Sequence, residues 1–146
     1  MDGSHTISIT ATDNDGNTSA AKTSTFMVDT VPPTLSITAP AEGLVTNKTT
    51  VTVTGKTDDA TSKPVTVTVN GAAATVGTDG SFSKDVSLSN GANKITIIAT
   101  DKAGKTTTVV RNVTLDTAAP VIKSISITPN PVDCGKTFII SVEITD

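Results

Sequence analysis

The amino-acid sequence repeats itself after about 87 residues, and this internal repeat restricts the fold more than any other feature. Within 1–33, Ile-Ser-Ile-Thr-Ala-Thr-Asp is followed by a glycine, Val-Asp-Thr and a proline. Within 90–120, Ile-Thr-Ile-Ile-Ala-Thr-Asp is followed by a glycine, Leu-Asp-Thr and a proline. The offset is 88 residues up to the glycine and 87 after it, and residues 34–59 can be laid on residues 121–146 at the offset of 87. The chain is therefore predicted to consist of copies of one small domain.

The repeat divides the chain into three segments. Residues 1–31 are predicted to be the C-terminal strands of a preceding copy, residues 32–117 a complete domain, and residues 118–146 the N-terminal strands of a following copy. At each boundary the pattern Asp-Thr-x-x-Pro recurs, at 29–33 and 116–120. Proline fixes φ and restrains the residue before it, so both boundaries are predicted to be short, stiff, extended linkers.

Alternation at period two predicts strands throughout the complete copy. Valine and threonine alternate in 50–54 and in 65–69, and both residue types are β-branched, so they fit a pleated surface. Asn-Gly at 70–71 and 90–91 and Asp-Gly at 79–80 suit the left-handed angles of tight turns. About seven short strands with turn signals between most of them predict an all-β, immunoglobulin-like antiparallel β-sandwich with Greek-key connections.

The core of this copy is predicted to be built from Val, Ile, Leu and one Phe. Phe82 is expected to be its largest single contributor, because the chain has only three Phe and no Trp or Tyr. A domain of about 85 residues buries only about 60 to 65 per cent of its unfolded surface, so the expected stability is modest, about 5 kcal/mol.

Five short motifs follow one another along the complete copy. They are Thr-Gly at 54–55, Val-Asn-Gly at 69–71, Asp-Gly-Ser-Phe at 79–82, Asn-Gly-Ala-Asn-Lys-Ile at 90–95 and Ala-Thr-Asp-Lys-Ala-Gly at 99–104. In this order and spacing they resemble bacterial Ig-like domains of the glucodextranase domain B type. The resemblance implies an antiparallel β-sandwich, neighbouring Ig-like repeats as partners, an extracellular or cell-surface location in bacteria, and a spacer, attachment or adhesion role. It implies no catalytic residues.

Charge and composition argue against several functions. A net charge of -3 with a pI near 5.0 provides no extended positive field for a phosphate backbone, so no nucleic-acid partner is expected. The apolar stretches are far shorter than the roughly 20 residues of a membrane-spanning helix, so no membrane insertion is expected.

A catalytic triad would need His5, which lies in a partial copy, and a zinc site needs more than His5 and Cys134. Cys134 cannot form an internal disulfide and has no visible role, and the chain is predicted not to be an enzyme.

One loop carries a calcium-like pattern. Asp13, Asp15 and Asn17 place oxygens at alternating positions around Gly16, as in the first half of an EF-hand loop. The Glu that would complete such a loop is missing, and the equivalent loop at 101–105 has two lysines in place of potential ligands. Hairpin chemistry is therefore the favoured interpretation and a Ca²⁺ site the alternative. No other cofactor is expected.

Two interpretations of function follow from these observations. The leading one is a non-catalytic structural spacer in a bacterial surface or secreted multidomain protein. The alternative is an adhesion or carbohydrate-binding accessory module that uses the turn loops, although carbohydrate binding has no support from Trp or Tyr platforms. Strands in the partial copies would have unpaired edges, so strand exchange between chains through these ends is also predicted.

Overall fold

The computed structural model describes residues 1–128, 130–131 and 133–145, and within them the chain forms strands and no helix. Accordingly, none of the described residues form a helix capable of crossing a membrane. The strands, in chain order, are β1 (Gly3–Ile9), β2 (Lys22–Val28), β3 (Thr34–Ala39), β4 (Leu44–Thr46), β5 (Thr50–Asp58), β6 (Thr66–Val69), β7 (Ala72–Val76), β8 (Ser81–Ser87), β9 (Gly91–Thr100), β10 (Thr106–Leu115), β11 (Val121–Thr128) and β12 (Ile139–Thr145).

The chain divides into two compact units, Met1–Leu115 and Asp116–Asp146. In the larger unit, β1 and β2 pair in antiparallel fashion as an N-terminal hairpin, and β3 to β10 pair in the order β3-β5-β8-β7-β6-β9-β10-β4. In the smaller unit, β11 and β12 pair in antiparallel fashion as a C-terminal hairpin. We refer to β3 to β10 as the sandwich.

The sandwich has two layers that are joined at one strand. β7 pairs with β6 in one layer and with β8 in the other, so the chain of paired strands turns a corner there. One layer contains β3, β5 and β8, and the other contains β6, β9, β10 and β4. This arrangement confirms the predicted all-β sandwich. β4 is an addition to the predicted strands: it runs parallel to β10, and its three residues are too few to show period-two alternation.

The core lies between the two layers and is made of aliphatic side chains and one phenylalanine. The buried side chains come from both layers, with Val53 and Phe82 on one side and Val67, Ile97 and Val113 among those on the other. Burial of Phe82, which is 4% exposed, agrees with its expected place in the core. The alternation in the sequence therefore predicted correctly which side chains of these strands face the core.

Two glycines in the sequence motifs are required by close packing. A Cβ at Gly55 would collide with the carbonyl oxygen of Ser36 and the ring of Phe82. A Cβ at Gly80 would collide with the carbonyl oxygen of Thr57, and Gly80 also has φ +78°, which disfavours other residues. Gly55, within β5, is therefore required by packing alone, and Gly80 by packing and turn geometry together.

The two terminal hairpins leave their apolar side chains exposed. In the N-terminal hairpin Ile9 is 65% and Phe26 46% exposed, and in the C-terminal hairpin Ile125 is 64% and Ile139 67% exposed. Cys134, between β11 and β12, is a free and exposed thiol.

Candidate functional site

The loop with the calcium-like pattern connects β1 and β2 and is organised around Asp13. Its Oδ1 accepts hydrogen bonds from the backbone N–H groups of Asp15 (3.0 Å) and Asn17 (2.8 Å), and its Oδ2 accepts one from Nδ2 of Asn17 (2.9 Å). These hydrogen bonds hold the pKa of Asp13 below its ordinary value, and the bond from the Asn17 side chain has the largest effect. The carboxylate thus stabilises the turn itself, and a Ca²⁺ site at this loop stays a prediction.

The equivalent loop of the sandwich connects β9 and β10 and is organised around Asp101. Oδ1 of Asp101 accepts a hydrogen bond from the N–H of Lys105 (2.9 Å). The same loop is tied to the β5–β6 loop, because the N–H of Ala103 donates to Oγ of Ser62 (2.9 Å) and the N–H of Lys102 donates to the carbonyl of Ser62 (3.2 Å). Two loops at one end of the sandwich are thereby held together.

Asp59 organises the β5–β6 loop in the same way. Its Oδ1 accepts hydrogen bonds from the N–H groups of Thr61 and Ser62, both at 2.8 Å, and from the hydroxyl of Thr61 at 3.2 Å. The hydrogen bonds from the Thr61 and Ser62 backbone lower the pKa of Asp59. Asp59 is buried, and these hydrogen bonds fix the orientation of its carboxylate.

Asp29 follows β2 and opens the linker between the N-terminal hairpin and the sandwich. Its Oδ1 accepts a hydrogen bond from the N–H of Val31 (3.1 Å), and the hydroxyl of Thr30 donates to the carboxylate of Asp2 (2.9 Å). A hollow of about 290 Å³ lies beside the linker, between Pro32 and the β5–β6 loop that carries Asp59. The start of the linker thus has a defined conformation.

Asp29, Asp59 and Asp101 come together at this end of the sandwich, and we call them the joint cluster. One carboxylate oxygen from each lies within 4.8 Å of those from the other two. Asp59 and Asp101 are buried, and Asp29 is half-buried. Carboxylate oxygens are the ligands that Ca²⁺ and Mg²⁺ prefer, so this arrangement can hold a hard divalent cation.

Sequence reasoning did not single out the joint cluster, because its members lie in three separate segments. A signal was nevertheless present: Asp101 recurs as Asp13, and Asp29 recurs as Asp116, at the offsets of the repeat. Turn chemistry accounts for each aspartate singly, and only the fold places the three together.

The comparison with protein families decides where the chain belongs. Residues 33–117, more than half of the chain, match the family model described as glucodextranase, domain B. The chain belongs to this family. The resemblance that the five motifs indicated is therefore confirmed, and the 33–117 domain is an accessory, non-catalytic module of the kind found in multidomain proteins.

One curated relative is Bacillopeptidase F of Bacillus subtilis (strain 168). The two sequences are 39% identical over 123 residues, which is 84% of this chain and 8% of the relative. The chain thus spans less than a tenth of the length of that relative, and the match is longer than the 33–117 stretch.

Two solved structures are similar in outline. One is described as the fibronectin(III)-like modules of Clostridium thermocellum CbhA, with 20% identity, a TM-score of 0.46 and coverage of 79% of this chain and 63% of that one. The other is described as a tetra-tandem repeat in the extending region of a large adhesion protein, with 21% identity, a TM-score of 0.48 and coverage of 97% of this chain and 45% of that one.

Proposed function

We propose that this chain is a spacer segment of a tandem array of Ig-like domains in a bacterial surface or secreted protein. Residues 32–117 are the complete domain, residues 1–31 are the last strands of a preceding copy, and residues 118–146 are the first strands of a following copy. The observation that carries this proposal is the exposure of Ile7 and Ile9, at 50% and 65%. They occupy the repeat positions that Ile95 and Ile97 hold in the sandwich, where the same side chains are fully buried, and a complete preceding copy would bury them.

The linker before the sandwich supports a stiff joint. After Val31-Pro32, the carbonyl of Pro33 accepts a hydrogen bond from the hydroxyl of Thr107 in β10 (2.5 Å). The next residue, Thr34, donates from its hydroxyl to the carbonyl of Asp58 (2.9 Å). The two prolines restrict the backbone dihedral angles of the linker, and these hydrogen bonds anchor the end of the linker to both layers of the sandwich. Such a joint favours a rod over a flexible string.

The extracellular location is part of the same proposal. It rests on membership in the glucodextranase domain B family. The two terminal hairpins also leave apolar side chains and strand edges exposed. In isolation those hairpins are the places through which two chains would exchange strands. Light scattering at several concentrations tests this exchange, because a strictly monomeric chain excludes it.

Small-angle scattering of a longer chain that carries complete copies on both sides tests the spacer function. We expect an elongated profile whose maximum dimension grows in proportion to the number of copies. Replacing Val31-Pro32-Pro33 with Gly-Ser-Gly should shorten the mean dimension, since glycine and serine remove the restraint on φ. A compact profile for the unchanged chain would contradict the proposal. Glycan binding that disappears when the 79–80 or 101–104 loop is replaced would instead favour the accessory binding module.

A further inference from the structure

We propose that the joint cluster, Asp29, Asp59 and Asp101, is a calcium-binding site between the N-terminal hairpin and the sandwich. Binding of one ion would connect the residue that opens the linker with two loops of the sandwich. The site is distinct from the loop at 13–17, which carries the calcium-like pattern in the sequence. The charge, hydrogen bonding and ligand chemistry of the three carboxylates support this assignment.

No carboxylate of the joint cluster forms an ion pair within the described residues. In the parts of the chain that the structure describes, ion pairs join Lys56 to Asp79 and Lys63 to Asp58, and neither pair includes a member of the cluster. Asp59 and Asp101 are only 5% and 6% exposed, so water screens them poorly. Three carboxylates within 4.8 Å of one another repel in such surroundings, and a bound cation removes this repulsion.

Two oxygens of the joint cluster are buried without a hydrogen-bond donor. Among the described residues, Oδ2 of Asp101 and Oδ2 of Asp29 have no partner. A buried carboxylate oxygen without a donor is unusual in a folded protein and calls for a ligand. The other oxygen of each carboxylate, Oδ1, accepts a backbone N–H, so the orientation of both side chains is established without an ion. This is the arrangement of a preformed site.

The ligand set favours calcium over other divalent ions. Ca²⁺ binds six to eight oxygens at about 2.3 to 2.6 Å in flexible geometry, so oxygens bound to one ion lie up to about 5 Å apart, and three oxygens within 4.8 Å of one another are compatible with it. Mg²⁺ demands near-ideal octahedral geometry, keeps several waters and is usually bound through one or two carboxylates, whereas this cluster offers three. Zn²⁺ prefers nitrogen and sulfur ligands, which this cluster does not offer. Water and backbone carbonyls would complete the calcium shell.

An ion at this position would restrain the joint, because Asp29 belongs to the linker and the other two ligands belong to the sandwich. This mechanical consequence rests on the proposed spacer function, whereas the binding site itself does not. In the sequence, Asp29 and Asp59 have equivalents at an offset of 87, Asp116 and Asp146, of which Asp146 lies outside the described residues.

Isothermal titration of the full 146-residue chain with CaCl₂, after removal of metal with EDTA, tests the site. We expect one ion per chain with a dissociation constant of about 10⁻⁴ to 10⁻³ M, the range of extracellular modules. Thermal unfolding should show a midpoint that rises with CaCl₂ concentration, because an ion that binds only the folded state stabilises it by mass action. NaCl at equal ionic strength is the control. Absence of binding at 10 mM CaCl₂ (about tenfold above that range), or an equal shift in NaCl, would overturn the proposal.

Three isosteric variants locate the ion. Asp101→Asn and Asp29→Asn keep an oxygen that accepts the backbone N–H and remove the charge, and each should weaken Ca²⁺ binding at least about tenfold. Asp13→Asn is the matched control and should bind Ca²⁺ like the unchanged chain. Loss of binding in Asp13→Asn, or unchanged binding in Asp101→Asn, would assign the ion elsewhere. Should Asp101→Asn fail to fold, Asp29→Asn outside the sandwich provides the same readout.

The failure of this proposal and the failure of the spacer function give different results. A chain that binds Ca²⁺ at the joint cluster, in a longer array that scatters as a compact particle, would retain the site and exclude the spacer. If the longer array is elongated but the 146-residue chain binds no Ca²⁺, the spacer function is retained and the calcium site is excluded. Unchanged binding in Asp29→Asn together with loss in Asp101→Asn would place the ion on the sandwich alone and overturn the connection across the joint.

Discussion

The N-terminal hairpin and the sandwich contain the same repeated strand in different surroundings. Ile7 and Ile9 in β1 correspond to Ile95 and Ile97 in β9 at an offset of 88 residues. In the hairpin the two isoleucines are 50% and 65% exposed, and in the sandwich they are 1% and 0% exposed. Both segments are antiparallel strands with a regular register to the next strand. Local sequence is therefore sufficient for a paired strand, and burial needs a second layer.

The three phenylalanines of the chain extend this comparison, because each segment contains one. Phe82 in β8 is 4% exposed, Phe26 in β2 is 46% exposed, and Phe138, just before β12, is 52% exposed. A two-stranded hairpin by itself is marginally stable in water, whereas strands that cover a shared core are not. Most of the free energy of unfolding should thus reside in the sandwich.

The largest expected effect is the difference between two phenylalanine substitutions. Phe82→Ala should destabilise the protein by roughly 3 to 4 kcal/mol, because it removes a large buried side chain and leaves a cavity. Phe26→Ala, its matched control, should change the free energy of unfolding of the sandwich by less than about 1 kcal/mol, because its ring is half exposed. Denaturant unfolding of both variants measures this. Equal losses would break the comparison by showing that the hairpin contributes to the same core.

A smaller difference is expected between two glycines in turns. Gly80 and Gly16 have similar positive φ values, +78° and +87°, but a Cβ at Gly80 would collide with the carbonyl of Thr57, whereas nothing lies within 4 Å at Gly16. Gly80→Ala should therefore cost roughly 2 to 3 kcal/mol, from the collision and the strained φ together. Gly16→Ala should leave the unfolding midpoint of the sandwich almost unchanged. A similar loss in both variants would mean that φ strain alone sets the cost.

The smallest effect concerns the two glutamates and depends on pH. Hydrogen bonds from the side chain and backbone of Asn112 lower the pKa of Glu42 below its ordinary value. A carboxylate whose pKa is lower in the folded state stabilises the protein above its unfolded pKa, and this contribution is lost as the pH falls through the folded pKa. Glu42→Ala should therefore lower the thermal midpoint at pH 7, and the difference from the unchanged protein should shrink below pH 4.5.

Glu143 in β12 is the matched control for this pH experiment. It lies in the C-terminal hairpin, outside the unit that contains the sandwich, so Glu143→Ala should not change the midpoint of the sandwich at either pH. If the difference in thermal midpoint between Glu42→Ala and the unchanged protein did not vary with pH, the contribution of Glu42 would come from packing and not from its charge.

The strands and turns of the sandwich could be predicted because their signals are local. The alternation at 65–69 and the Asn-Gly at 70–71 predict a strand and a tight turn, and the structure places Asn70 at φ 49° and Gly71 at φ 81° there. β4 could not be predicted in this way, since its pairing with β10 joins residues about 70 positions apart. Local patterns carry no information about such partners.

The joint cluster could not be predicted from local sequence patterns either. Asp13 attracted the calcium prediction because its neighbours in sequence also carry oxygens, yet its own carboxylate is occupied by the turn. Asp101 occupies the equivalent position with lysines nearby in sequence, and its unpartnered oxygen becomes evident only when Asp29 and Asp59 lie beside it.

The sequence by itself determined the strand class, the turns, the repeat and the family, because each depends on residues that are close in the chain or on the period between copies. Tertiary structure alone decided which isoleucines are buried, that Gly55 must lack a side chain against Phe82, and that three distant aspartates meet. The physical reason is that burial and charge repulsion depend on what lies opposite a side chain, and that partner comes from another layer or another loop.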